Sequence, residues 1–186
     1  MAAPNFKADL AFSESIDDSI VFDALRRAFG GAVESIRREK DLALQRRGVD
    51  YWVRFQCGTE RGVDLKLCRY DDSRVGTKMK QPRTVPVELW SDVAKGKPGW
   101  SVDDKKQTDY ILILYADSLR GMLFEYRTYR AACQLYAQAW GKMCFTHSSE
   151  NRGWTSHVAY PTLQQFREAL LSITHTVGGQ GAEGLV

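Results

Sequence analysis

Asp64 and Lys66 stand two residues apart in Val63-Asp64-Leu65-Lys66-Leu67-Cys68, a run that alternates apolar with polar side chains. Successive side chains of a strand point to opposite faces, so this carboxylate and ammonium share one face and Val63, Leu65 and Leu67 take the other. Asp50 lies fourteen residues before Asp64, at the start of a second alternating run: Val49, Tyr51, Val53, Phe55 and Cys57 interleave with Asp50, Trp52, Arg54 and Gln56. Gly58-Thr59-Glu60-Arg61-Gly62 between the runs reads as a hairpin turn. A three-residue connection sets Trp52 opposite Lys66 and Asp50 opposite Cys68, which puts Asp50 on the face of Asp64 and Lys66. A connection of even length sends it to the other face. The two carboxylates, converging with the ammonium, supply hard oxygen ligands suited to Mg²⁺ or Mn²⁺, which is held by one or two carboxylates plus a substrate phosphate. The lysine can orient or deprotonate an attacking water, or stabilise negative charge developing on phosphorus. The plainer alternative is a solvated strand face with a cross-strand ion pair.

Glu88, in Val85-Pro86-Val87-Glu88-Leu89-Trp90, is the next candidate: a third catalytic or metal-binding acid on a neighbouring strand, or a surface carboxylate. A different reading of the meander makes Asp64 the first acid and Glu88 the second, with Trp90 where a lysine two residues on would be needed, so that the site is inactive. Glu34 and Asp41 are weaker options for an acid from the region after the first helix. Basic residues gather in two loops, with Arg69, Arg74, Lys78, Lys80 and Arg83 in one and Lys95, Lys97, Lys105 and Lys106 in the other. Of these, Lys78, Lys80, Arg83, Lys105 and Lys106 are the candidate phosphate-backbone contacts. Trp90 and Trp100 offer faces on which bases stack; solvated loops and core tryptophans are the competing reading. Cys144 and His147 make half a zinc site at best, and the four cysteines lack Cys-x-x-Cys spacing, as expected of buried free thiols.

These residues need elements to hold them. A first helix is expected over residues 19–29, with Asp17 or Asp18 as cap, Ile20, Val21, Ala24, Leu25, Ala28 and Phe29 as its apolar stripe, and Gly30-Gly31 as its stop. Residues 32–38 suggest a strand, and 41–47 either a helical turn or a loop. The meander 49–57, 63–68 and 84–90 is expected to share one sheet with residues 110–115, whose two apolar faces suit a buried strand. A strand over 121–126, a helix over 128–140, a strand over 155–160 and a capping-box helix from 162 to 173 complete the chain. Residues 177–186 read as a flexible tail.

The chain has 186 residues, with 26 basic against 23 acidic residues and a net charge of +3. With 44% hydrophobic and 26% charged residues, it has the composition of an ordinary globular domain, which excludes disorder as its main state. No run reaches the 18 or so apolar residues of a membrane span, and Met-Ala-Ala-Pro-Asn carries no secretory signal pattern, so no membrane partner and a cytoplasmic location are expected.

Gly48-Val49-Asp50-Tyr51 followed by Val63-Asp64-Leu65-Lys66 resembles the Asp, hairpin, (Asp/Glu)-x-Lys signature of the PD-(D/E)XK nuclease superfamily. The order of a helix, three meandering strands, then a further helix and strand is similar to its core over about residues 15–116. Val49 stands where that signature has a nominal proline, and Asp64 where glutamate is commoner. The resemblance implies an α/β (α+β) fold with a restriction-endonuclease-like mixed sheet flanked by helices. It implies a divalent-metal-dependent phosphodiesterase acting on nucleic acid, DNA foremost, with Asp50 and Asp64 as metal ligands and Lys66 as catalytic lysine. A single domain over 1–176 is expected, with an extension over 117–176 beyond the core. The alternative is a catalytically silent relative that binds nucleic acid or a protein as a regulatory or structural subunit, with a protein partner or homodimer left open.

Overall fold

The computed structural model describes residues 16–68, 84–116, 118–143, 146–151 and 154–177. Helix α1 (Asp18–Ala28) starts at Asp17, whose extended backbone and Oδ1 cap the Ser19 N–H at 2.8 Å. Asp18 in its first turn and Arg26 and Arg27 in its last complement the helix dipole. Strand β1 (Val33–Arg38) and a short helix α2 (Leu42–Arg46) follow. Asp41 caps α2, so the ambiguous segment is one helical turn. Then come β2 (Tyr51–Phe55), β3 (Glu60–Cys68), β4 (Val87–Asp92), β5 (Lys97–Pro98), β6 (Tyr110–Tyr115) and β7 (Arg120–Glu125). Helix α3 (Tyr126–Met143), β8 (Thr146–Asn151), β9 (Trp154–Ala159) and α4 (Leu163–Val177) close the order.

The architecture is mixed α/β with two sheets. The chain groups into two compact units. The first holds residues 16–68, 104–116 and 118–126, the second 84–103, 127–143 and 154–177, with β8 divided between them. The first unit's sheet runs β1-β2-β3-β6-β7; β3 and β6 pair in parallel, and the other pairs are antiparallel. Residues 84–90 do not join it. Strand β4 belongs to the second unit's sheet, ordered β5-β4-β9-β8. The alternation of Val85, Val87 and Leu89 fits any half-buried strand, and nothing local to it specifies a sheet partner.

In the first unit, Val21, Ala24 and Leu25 of α1 pack against Val33, Tyr51, Val53, Val63, Leu112 and Leu114 on one sheet face. The helix is fastened at its start: Asp18 Oδ1 accepts from the Tyr51 hydroxyl at 2.8 Å and from Arg38 Nε at 2.9 Å. Ile111 to Leu114 are all buried, so β6 is covered on both faces as its lack of polar alternation requires. In the second unit an aromatic row carries the core. Tyr129 lies 5.2 Å from Phe166, and Phe166 lies 5.5 Å from Trp140 between ring centroids.

Leu114→Ala, a truncation in this buried strand, is expected to cost about 2–5 kcal/mol in denaturant unfolding. Leu135→Ser, on an exposed position of α3, should shift stability by about 0.5 kcal/mol or less.

Candidate functional site

The hairpin that carries the candidate residues has a connection of three residues, 56–58, closed by the Phe55 N–H donating to the Thr59 carbonyl at 2.9 Å. It begins two residues earlier than the pattern suggests, so the register is Tyr51↔Val63 and Trp52↔Gly62. The sequence-based pairings of Trp52 with Lys66 and Asp50 with Cys68 are therefore wrong. The odd loop length is right, and it is what fixes the face. Asp50 leaves the ladder just before β2. Its N–H donates to the Val63 carbonyl at 2.9 Å, and its carboxylate Oδ2 accepts the Leu65 N–H at 2.8 Å in place of a backbone acceptor. The Asp50 carbonyl in turn accepts the Glu39 N–H at 2.8 Å.

Asp50, Asp64 and Lys66 thus meet. Asp64 is 1% exposed; its Oδ1 accepts from the Lys66 ammonium and its Oδ2 from the Lys106 ammonium at 2.5 Å. The Asp50 carboxyl lies near enough to Asp64 and Lys66 for the charge of each to act on it. Lys106 is a surprise here, because the sequence reading places it on a phosphate-tracking loop. Its side chain is only 9% exposed. The segment ahead of β6 is pinned by Gln107 N–H to the Arg47 carbonyl (2.8 Å), Asp109 N–H to the Gly62 carbonyl (3.0 Å) and Gly62 N–H to Asp109 Oδ2 (2.8 Å). Nothing in Lys105-Lys106 says which of the two turns inward. The parallel pairing of β6 with β3 decides it, and that pairing has no sequence signature. Gly48 completes the pocket: its φ is +87°, and a Cβ there would lie 2.8 Å from Lys106 Nζ and 3.2 Å from Asp64 Oδ2.

The buried acid of the region after α1 is Glu39, which touches Asp50 only through its backbone N–H. Its Oε1 accepts the Lys40 and Asp41 N–H groups at 2.7 and 2.8 Å, and its Oε2 accepts the Trp52 indole N–H at 2.6 Å. The backbone N–H of Asp41 first, then the Trp52 indole, hold its carboxyl below the usual range. Glu34 instead pairs with Arg54 at 3.4 Å, and Asp41 is spent as the cap of α2. Glu39 follows the last residue of β1 and belongs to no periodic pattern, so sequence reading had no means of selecting it.

Burial alone would raise the Asp64 pKa, but the Lys66 and Lys106 ammoniums outweigh it and hold the carboxyl below the ordinary range. Asp50 is pushed up to about 6, chiefly by burial and further by the charge on Asp64, with Lys66 opposing. Burial, then the like charge of Lys66, depresses Lys106 against the pull of Asp64. With Asp50 ionised the four groups sum to zero; with Asp50 protonated they carry one positive charge. Two adjacent carboxylates match the donor chemistry of Mg²⁺ or Mn²⁺. Both Asp64 oxygens already hold an ammonium, so a divalent ion fits where one of those ammoniums withdraws. Among the described residues, no three His, Cys, Asp or Glu side chains are grouped as a metal would need.

Glu88 sits on β4 in the second unit, where its N–H donates to Ser101 Oγ at 3.0 Å and its Oε2 accepts the Trp100 N–H at 3.1 Å. Gly99 packs against it so closely that a Cβ would come 2.2 Å from the Glu88 carbonyl oxygen. Glu88 therefore latches the turn at 99–101. Trp100 stacks on Tyr129 at 6.0 Å, whereas Trp90 is exposed. Lys105, Lys95 and Lys97 are exposed, while Lys78, Lys80 and Arg83 lie outside the described residues, as do Arg69, Arg74 and Cys144. Of the other cysteines, Cys133 is buried and free but Cys57 is exposed. Comparison with family models, curated proteins and solved structures returns no match for this chain.

Two outcomes follow from the charge cluster. Asp64→Asn strands two ammoniums in a desolvated site and should cost about 3–5 kcal/mol in urea unfolding. Asp50 behaves oppositely. Its folded pKa of about 6 lies above its ordinary 3.8, so its stabilising contribution is complete below pH 4 and is lost as pH rises through 6. Asp50→Asn, which keeps an acceptor for Leu65 N–H, should match wild type near pH 4 and exceed it by roughly 2–3 kcal/mol at pH 7.5. Parallel unfolding curves across that range check both the sign and the window.

Proposed function

We propose that the chain is a metal-dependent nuclease that hydrolyses phosphodiester bonds of nucleic acid, with DNA as its first expected substrate. The observation that carries this reading is the meeting of Asp50, Asp64 and Lys66 on one side of the β2–β3 hairpin. The restriction-endonuclease-like core is supported by α1 packed on the antiparallel β1-β2-β3 meander and by the parallel strand β6 beside β3. The described part of the β3–β6 connection differs from that core in carrying β4 and β5 and no helix.

Asp50 and Asp64 would hold Mg²⁺ or Mn²⁺, which when bound polarises a phosphoryl oxygen and lowers the pKa of a coordinated water. Asp50 sheds its proton above about pH 6 and is then available as an anionic ligand. Lys66, whose side chain is less buried than that of Lys106, is placed to orient the attacking water or to stabilise charge developing on the phosphate. Leu65 N–H fixes the Asp50 carboxylate, so the ligand is oriented by the strand itself.

A second reading is favoured by a specific observation: both oxygens of Asp64 are neutralised from within the chain. A silent nuclease-fold protein that binds nucleic acid or a protein partner would keep such a cluster for structure alone. Metal-dependent nicking of plasmid and labelled oligonucleotides separates the two. Lys66→Ala is expected to lower cleavage by about 10²–10³, equivalent to roughly 3–4 kcal/mol, while changing nucleic-acid affinity only modestly. Wild type that binds but cuts no substrate with any divalent metal assigns the protein to the silent class.

A further inference from the structure

We infer that Lys106 is a resident cation of the carboxylate pair: its ammonium holds the position at Asp64 Oδ2 that a divalent ion would take, and a substrate phosphate draws it off. This rests on the metal-dependent reading above and adds to it a condition for loading the metal. The lysine is 2.5 Å from Oδ2 in a nearly closed site, and the other oxygen of Asp64 is taken by Lys66. In charge, the two carboxylates of the pair are balanced by two ammoniums, both of them on Asp64. Adding a dication to that balanced set leaves two surplus positive charges in a poorly hydrated space, which Coulomb repulsion opposes. If one ammonium leaves for a phosphate, the surplus falls to one positive charge, which the negative charge of a phosphate oxygen on the metal would balance.

Of the two ammoniums, Lys106 is the one built to leave. Lys66 is part of β3, paired on one side with β6 in a register that includes Lys66↔Ile113. Lys106 belongs to no strand or helix; it projects from the connection ahead of β6, on a flexible four-carbon stem. That connection is anchored at the next residue, where Gln107 N–H meets the Arg47 carbonyl, so the backbone can stay in place while the side chain swings. Gly48 provides the matching room: its missing Cβ is the space that the Lys106 Nζ and Cδ approach to 2.8 and 3.0 Å.

The test is calorimetric titration of Mn²⁺ into wild type, Lys106→Met and Lys106→Gln at pH 7.5, each with an unfolding curve to establish that it is folded. Both variants should bind Mn²⁺ at least tenfold more tightly than wild type; the glutamine keeps a neutral donor for Oδ2 if the methionine fails to fold. Wild type is also titrated alone and with a short phosphorothioate oligonucleotide, which should tighten its Mn²⁺ binding at least tenfold. Equal affinity in wild type and variants, or no effect of the oligonucleotide on wild type, overturns the role of Lys106 and leaves the metal reading standing. Absence of Mn²⁺ binding in every protein and condition overturns both.

Discussion

A carboxylate with almost no access to water, on a strand at the middle of a sheet, sets the terms for the first unit. Asp64 is tolerable there only because two ammoniums, reached from different parts of the chain, hold its two oxygens. Removing such a charge from water costs several kcal/mol, and its pairing repays that only when the geometry is good and every lone pair is used. The hairpin register, the parallel placement of β6, the left-handed turn at Gly48 and the departure of Asp50 from the ladder all meet that requirement. An apolar residue at Asp64 would fill the space without any of this apparatus. That the chain retains it is the physical ground for reading the cluster as a working site.

The same cluster shows how one backbone hydrogen bond can be reassigned to a side chain. Where β2 has not yet begun, β3 still has an N–H at Leu65 to satisfy, and the Asp50 carboxylate takes it. The acid is thereby oriented by the sheet and held in a buried place near a second acid; the burial first, then that neighbour's charge, raises its pKa. Position and protonation state are coupled through a single strand end.

Much of this was legible in the sequence, for stated reasons. The alternation around Asp64 and Lys66 placed them on one face, and the odd length of the hairpin loop brought Asp50 to it even though the turn itself was located two residues late. The apolar run at 110–115 announced a strand buried on both faces. What could not be read were pairings between distant segments. Lys106 reads as a surface base because its partner lies 42 residues away, and Glu39 gives no signal because no periodicity marks the end of β1. Glu88 looked like a third ligand because Val-Pro-Val-Glu-Leu-Trp carries the right alternation, which specifies a strand but not the sheet it enters. The segment that builds β4 and β5 interrupts the first unit between β3 and β6.

That interruption bears on how the molecule is made. As the chain leaves the ribosome, the hairpin with Asp50 and Asp64 emerges well before the segment that carries Lys106 and β6. Until then, Asp64 lacks one of its counter-ions and β3 lacks its parallel neighbour. Pairings between segments so far apart must first meet the entropy of closing a long loop, which makes them slow to form. The charge cluster and the β3–β6 pairing of the first unit therefore cannot be complete until the segment beyond β5 has been made.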